Sequence, residues 1–124
     1  MKLHPDKFNI PVISGYGPGW ISLDGEKISS SLIIGSRGER LAWNCARFEL
    51  LGSGHFAQLA EFGPELILFG SGEQQRFPLP AWLGALSARR IGVESMTTTA
   101  ACRTYNILAG EGRHVLAALL VETP

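Results

Sequence analysis

From Glu65 to Glu122 short apolar runs alternate with helix-like segments, and this β-α-β-α-β rhythm leaves the chain few ways to fold. Leu66-Ile67-Leu68-Phe69, Ile91-Gly92-Val93 and Val115 to Val121 read as buried strands, with helices over Pro80 to Arg90 and Thr97 to Ala109 between them. Strands joined by crossover helices run parallel, and helices cover the sheet they make. Ligands in such sheets sit beyond the carboxyl ends of the strands. Function is therefore sought first in the segments that follow the strands, Gly70-Ser71-Gly72-Glu73 and Glu94-Ser95-Met96-Thr97. Neither segment is a recognised catalytic signature.

The first half has a β-like texture. Trp20 to Leu23 and Glu26 to Ile28 flank Asp24-Gly25, a dipeptide that tolerates the positive φ angles of a type I′ turn, so a two-residue hairpin is expected. A second hairpin joins Leu32-Ile33-Ile34 to Leu41-Ala42-Trp43 through Ser36 to Glu39. Gly15 to Trp20 is too rich in glycine and proline for a regular element and brings a strand over Pro11 to Ser14 into the meander. A ligand loop is the alternative there, although no P-loop lysine follows the glycines. Residues 1–9 lack any periodic pattern and read as a flexible N-terminal arm. Residues 10–124 then form a single α/β domain.

Three helices carry terminal signals. Ser53 is a candidate cap for His55 to Phe62, with Phe56, Leu59 and Ala60 as its inward stripe. Pro80 suits the first turn of the next helix, whose buried face is Leu79, Leu83 and Leu86. Thr97 caps the last, Ala101, Tyr105, Leu108 and Ala109 form its apolar stripe, and Gly110 stands where a left-handed C-cap is wanted.

Charge narrows the function classes. Lysine plus arginine equal aspartate plus glutamate at 11 each, and only 18% of residues are charged, which disfavours a nucleic-acid or anionic-membrane partner. The same low charge leaves a homo-oligomer open. No apolar run approaches the roughly 20 residues of a membrane helix, and the N-terminal stretch lacks the character of a secretory or mitochondrial leader, so membrane insertion is not expected and the compartment reads as cytoplasmic. Cys45 and Cys102 are then expected as free thiols.

The inventory of chemistry is thin. His4, His55 and His114 show no ligand spacing, so no metal is expected, and the two aspartates, Asp6 and Asp24, are poorly placed to orient a histidine base. Around Ser53 and Ser71 the sequences LGSGH and FGSGE miss the nucleophile elbow because Leu51 and Phe69 occupy the first glycine position. Gln75 stands where a dinucleotide fingerprint needs its third glycine. No cofactor and no catalytic residue is assigned, and the balance leans against an enzyme. A candidate ligand set at the strand ends comprises Ser71, Glu94, Cys102, Arg103 and Asn106, with Arg76 nearby, suited to a small anion. Cys102 lies near a helix N-terminus, where a thiol pKa falls, yet it also borders the apolar stripe, where cysteine acts as a small packing residue. Arg103 and Asn106 serve equally as solvated surface residues.

Glu65 to Gly72 (ELILFGSG), Ile91 to Ser95 (IGVES) and above all Met96 to Gly112 (MTTTAACRTYNILAGEG) carry a resemblance that runs from Ile13 to Val121. The sequence resembles a domain-of-unknown-function family that includes the third assembly factor of mitochondrial respiratory complex I and many small bacterial proteins. Thr98, Ala101, Cys102, Arg103, Thr104, Tyr105 and Asn106 match its signature block. The resemblance implies a single three-layer α/β domain with a central mixed, largely parallel sheet, flanking helices and an N-terminal β-hairpin meander. A mixed sheet implies in turn that one of the strands read as parallel runs antiparallel. The eukaryotic relatives bind complex I subunits during assembly and are not assigned an activity by the resemblance. The expectation is a non-enzymatic protein-binding or assembly factor, with a small-molecule (anion) binding protein or enzyme using the strand-end cleft as the alternative. Its partners are then proteins, respiratory-complex subunits among them, and exposed aromatics such as Tyr16, Trp20 and Trp82 are the interface candidates.

Overall fold

A computed structural model describes residues 10–122; the proposed arm at 1–9 lies outside them. Five strands form the central sheet: β4 (Leu32–Gly35), β5 (Arg40–Ala42), β6 (Leu66–Gly70), β7 (Gly92–Met96) and β8 (Val115–Leu119), in the order β5-β4-β8-β6-β7. A separate antiparallel sheet holds β1 (Ile13–Gly17), β2 (Trp20–Leu23) and β3 (Glu26–Ile28). The helices are α1 (Ser53–Ala60), α2 (Gly84–Ala88) and α3 (Thr98–Gly110), with 3-10 turns at Phe48–Leu50 and Pro80–Leu83.

Side chains alternate across a strand, and β8 uses both faces. Val115, Ala117 and Leu119 enter a core beneath α3 and the small sheet, with Leu68, Ala101, Cys102, Tyr105, Ile21 and Leu23. Leu116, Ala118 and Leu120 enter the opposite core beneath α1 and α2, with Ile33, Ile67, Phe69, Trp43, Phe56 and Leu86. The result is the expected three-layer α/β fold: helices, mixed sheet, then α3 with the meander.

The three strands of the β-α-β-α-β rhythm are all parallel, β8 and β7 flanking β6, because each link is a crossover helix. The antiparallel part comes from the β4–β5 hairpin, which adds to β8 through β4. The expectation that a rhythm strand runs antiparallel is thereby corrected. The Asp24-Gly25 turn has φ of 50° and 87°, as a type I′ turn requires.

Other boundaries move for local reasons. Gly15 to Gly17 lie within β1, where a regular element was not expected: Gly17 faces Trp20, and a Cβ there would sit 2.5 Å from the indole Nε1. Glycine here clears space for an aromatic ring across the strand pair. Glu94, Ser95 and Met96 lie inside β7, since its ladder to β6 runs through Met96 opposite Gly70. Gly52, not Ser53, holds the N-cap position of α1, and the His55 side chain serves the entry instead, its Nδ1 accepting from the Gly52 N–H at 3.2 Å. The segment from Pro80 starts as a 3-10 turn and becomes α-helical only at Gly84, which leaves Leu79 outside the helix and 56% exposed; Leu86 is buried. Gly110 ends α3 in helical geometry, and the left-handed glycine is Gly112, with φ of 82°.

Candidate functional site

Glycine and threonine bring the ends of β6 and β8 against the start of α3. A Cβ on Gly70 would lie 3.0 Å from the Thr98 Cα, so the bare glycine permits the helix to approach the strand. The Thr98 hydroxyl accepts from the Gly72 N–H at 2.9 Å and donates to the Leu120 carbonyl at 2.7 Å. Three chain segments thus meet on one side chain. The Thr97 hydroxyl caps α3 by accepting from the Ala100 N–H at 3.3 Å.

Beyond Gly72, whose φ is 100°, a charged brace closes the edge. Arg76 Nη2 donates to Glu122 Oε1 at 2.6 Å and to the Ser71 carbonyl at 2.7 Å, and its guanidinium lies 4.6 Å over the Phe48 ring. Glu122 Oε2 accepts from the Phe48 N–H at 2.7 Å. Across from this brace the β1–β2 turn supplies Tyr16, Pro18 and Trp20. A cleft of about 240 Å³ opens between them, floored by Thr98, Thr99, Leu120 and Val121 and rimmed by Glu73 and Glu122.

None of the five residues expected to form a ligand set, Ser71, Glu94, Cys102, Arg103 and Asn106, lines this cleft. Ser71 is buried, its hydroxyl donating to the Gln74 carbonyl at 2.7 Å and accepting from the Arg76 N–H at 2.9 Å, which shapes the loop after β6. Arg103 Nε donates to the Tyr16 hydroxyl at 3.0 Å and so sets one wall of the cleft from behind. Asn106 works as a surrogate strand: its Oδ1 accepts from the Ile13 N–H at 3.0 Å and its Nδ2 donates to the Ile13 carbonyl at 2.8 Å. Tyr105 adds a bond from its hydroxyl to the Pro11 carbonyl at 2.8 Å. Together, Arg103, Tyr105 and Asn106 of the signature block clasp β1 and the residues that lead into it to α3. Glu94 is exposed on β7.

Cys102 is fully buried, and desolvation pushes its thiol up to about 12, overriding any gain from the helix terminus. Cys45 is buried in the other core, its thiol also raised by burial, and both cysteines are free. Among the described residues no cluster of three histidine, cysteine or carboxylate side chains could hold a metal ion. His114 and Glu39 form a nearly buried pair at 2.8 Å between β8 and the β4–β5 turn. Gly35 admits it, since a Cβ there would collide with the Glu39 carboxylate.

Sequence reasoning placed Gly72 in the segment after β6 but did not join Thr99 or Glu122 to that edge. Gly72 carried a signal in ELILFGSG, whereas Glu122 lies 46 residues from the arginine it meets and carried none. Phe77 at 68%, Leu50 at 61% and Leu79 at 56% exposure are large apolar side chains left in solvent. Arg76, which immediately precedes Phe77, pairs with Glu49 of the Leu50 turn at 3.6 Å.

A three-layer α/β protein with a strand-end cleft walled by a glycine-rich hairpin is the class these features define. Within it, the chain belongs to the family described as Protein of unknown function (DUF498/DUF598), which matches residues 13–120. It is similar to a Bordetella parapertussis protein of known crystal structure, at 34% identity over 91% of this chain and 97% of that one with a TM-score of 0.85. It is also similar to a Xanthomonas campestris protein solved by NMR, at 33% identity over 97% of this chain and 89% of that one with a TM-score of 0.81. A Bordetella pertussis protein described as a Mth938-like domain matches at 31% identity over 98% and 93% of the two chains, with a TM-score of 0.80. A protein of Francisella tularensis subsp. holarctica named "13 kDa major membrane protein" is 34% identical over 61 residues, 49% of this chain. The chain spans about half the length of that curated relative, 50%. Among the described residues no helix is long and apolar enough to cross a membrane.

Proposed function

We propose that this protein is a non-enzymatic binding or assembly factor whose client docks on the apolar surface beside the strand ends. The observation that carries this reading is the exposure of Leu50, Phe77 and Leu79 on segments that the Arg76 brace ties together. Exposed apolar clusters on a soluble fold mark interaction surfaces. Ser71, Thr98 and Asn106 meanwhile spend their polar atoms on the protein's own backbone, which supports a scaffold role for them, and Arg103 gives its Nε to the Tyr16 hydroxyl. Resemblance to the complex I assembly factor makes respiratory-complex subunits the first clients to test, and the two unpaired cysteines support a cytoplasmic setting. The test is affinity capture from the native host under conditions that keep membrane complexes intact, comparing the wild type with Phe77→Ser/Leu79→Ser. Loss of a captured partner in the variant supports the reading. Recovery of no specific partner, or equal recovery by both proteins, sinks it; fractionation of the native protein into the membrane pellet sinks the cytoplasmic assignment.

A second reading, a small-molecule site, is favoured by the cleft of about 240 Å³ between Tyr16, Thr99 and Glu122. In that site Arg103 acts through Tyr16, whereas Ser71, Glu94, Cys102 and Asn106 stay off the cleft lining. A metabolite thermal-shift screen decides, because a true ligand raises the midpoint by mass action. A hit that works equally well on Arg103→Ala, which releases Tyr16, rules the assignment out.

A further inference from the structure

β7 is an edge strand of the central sheet, with β6 on one side only. The Gly92 N–H donates to the Glu65 carbonyl at 3.4 Å, and the Met96 carbonyl accepts from the Ser71 N–H at 2.9 Å. With the period of two along a strand, Gly92, Glu94 and Met96 turn their main-chain groups toward β6, and Val93 and Ser95 turn theirs outward. Such an edge is a template for another strand unless something blunts it. The five residues GVESM contain no proline or lysine. Blunting occurs at both ends: Gln75 Nε2 donates to the Ser95 carbonyl at 3.0 Å, and the Ile91 N–H donates to the Leu86 carbonyl at 3.0 Å. The N–H and C=O of Val93, the N–H of Ser95 and the C=O of Ile91 are left facing outward.

We propose that this edge recognises a second copy of the chain, pairing antiparallel about a two-fold axis at Val93. In that register Val93 exchanges both bonds with Val93 of the second copy. Each Ser95 N–H then meets the Ile91 carbonyl across the axis. The groups already in use, the Ser95 carbonyl and the Ile91 N–H, fall opposite one another, so neither is asked for a further bond. Other registers fail on the same facts. Centring on Glu94 demands the carbonyl that Gln75 holds and sets two carboxylates directly opposite, which is destabilising. Centring on Ser95 demands that carbonyl twice.

Charge complementarity agrees with the Val93 register. Glu94 stands opposite Gly92 of the second copy, and Arg90, held at a φ of 57° in the turn that leads into β7, is the nearest cation to it along that chain. Glu94 and Arg90 are exposed, and neither forms an ion pair within the chain among the described residues. A formal net charge of zero adds no long-range repulsion between copies.

Four main-chain bonds and two Glu94–Arg90 ion pairs make a small interface, so the dimer is weak and dependent on concentration. Sedimentation equilibrium of the full chain, from micromolar to millimolar, reads it. The expected result is reversible monomer–dimer exchange. Val93→Pro removes an outward N–H without touching the ladder to β6, and raises the dimer Kd about thirtyfold, the equivalent of two net hydrogen bonds across the axis. Glu94→Arg weakens pairing by setting like charges together, and Glu94→Arg/Arg90→Glu restores it. Circular dichroism checks that Val93→Pro folds; if it does not, the charge swap decides alone. A monomer at every concentration, a dimer unmoved by either single variant, or a Glu94→Arg defect that Arg90→Glu leaves unrepaired overturns the proposal.

Discussion

Single side chains settle what the signature block is for. Cys102 is the residue most open to a chemical role in the sequence, yet its place in the core beneath α3 takes the thiol up to about 12 from an ordinary 9.0. Below about pH 9 the folded and unfolded thiols are both protonated and no linkage arises. Between about 9 and 12 only the unfolded thiol ionises, so stability falls as pH climbs through that window. Tyr105 is raised by burial as well and adds to the same alkaline loss. Urea midpoints measured from neutral pH upward are therefore expected to decline past pH 9, and Cys102→Ala is expected to flatten part of that decline. An unchanged slope in the variant counts against a buried thiol. At neutral pH the folded protein should resist iodoacetamide at Cys102 and react once denatured. Gly72 is the backbone counterpart. With φ of 100° and the Glu122–Arg76 pair where a Cβ would stand, Gly72→Ala forces both strain and displacement. A loss of about 1–3 kcal/mol in a urea melt is expected; a neutral outcome would show that the brace yields freely.

Elements explain how much of the fold can be read in advance. The α3 cap at Thr97, the strands β6 and β8, and the Asp24-Gly25 hairpin follow from local rules, and local rules found them. What escaped was decided by partners distant in sequence. β1 persists through its glycines because Trp20 needs the space, and Asn106 holds Ile13 from 93 residues away. Local composition carries no trace of either partner. The same distance conceals the site: Arg103 and Asn106 look like ligand donors until Tyr16 and Ile13 are brought beside them. Asn106→Ala tests this docking role. Two hydrogen bonds at about 1 kcal/mol net each suggest a loss of roughly 2 kcal/mol. Amide exchange should rise mainly in β1, while β6 and β8 keep their protection; a uniform rise across all strands would place the role of Asn106 elsewhere.

At the scale of the molecule, the central strands join two cores that share no side chain. β8 sends Val115, Ala117 and Leu119 to one and Leu116, Ala118 and Leu120 to the other, and β6 divides Leu68 from Ile67 and Phe69 in the same way. A loss of packing on one face thus loosens the strand that also frames the opposite face. Leu116 is fully buried in the helix-side core, and Leu116→Ala removes its volume from beneath α1 and α2, at an expected cost of about 2–5 kcal/mol. If the two cores unfold as one cooperative unit, that cost appears in both layers. Trp43 and Trp82 report the helix side, and Trp20 reports the small sheet. With single-tryptophan versions of the variant, the three fluorescence transitions in urea should coincide and move together to lower denaturant. If Trp43 and Trp82 shift while Trp20 keeps the wild-type midpoint, the meander has its own stability. In that case the clasp of Arg103, Tyr105 and Asn106 would join two separately stable bodies, and would no longer extend one core.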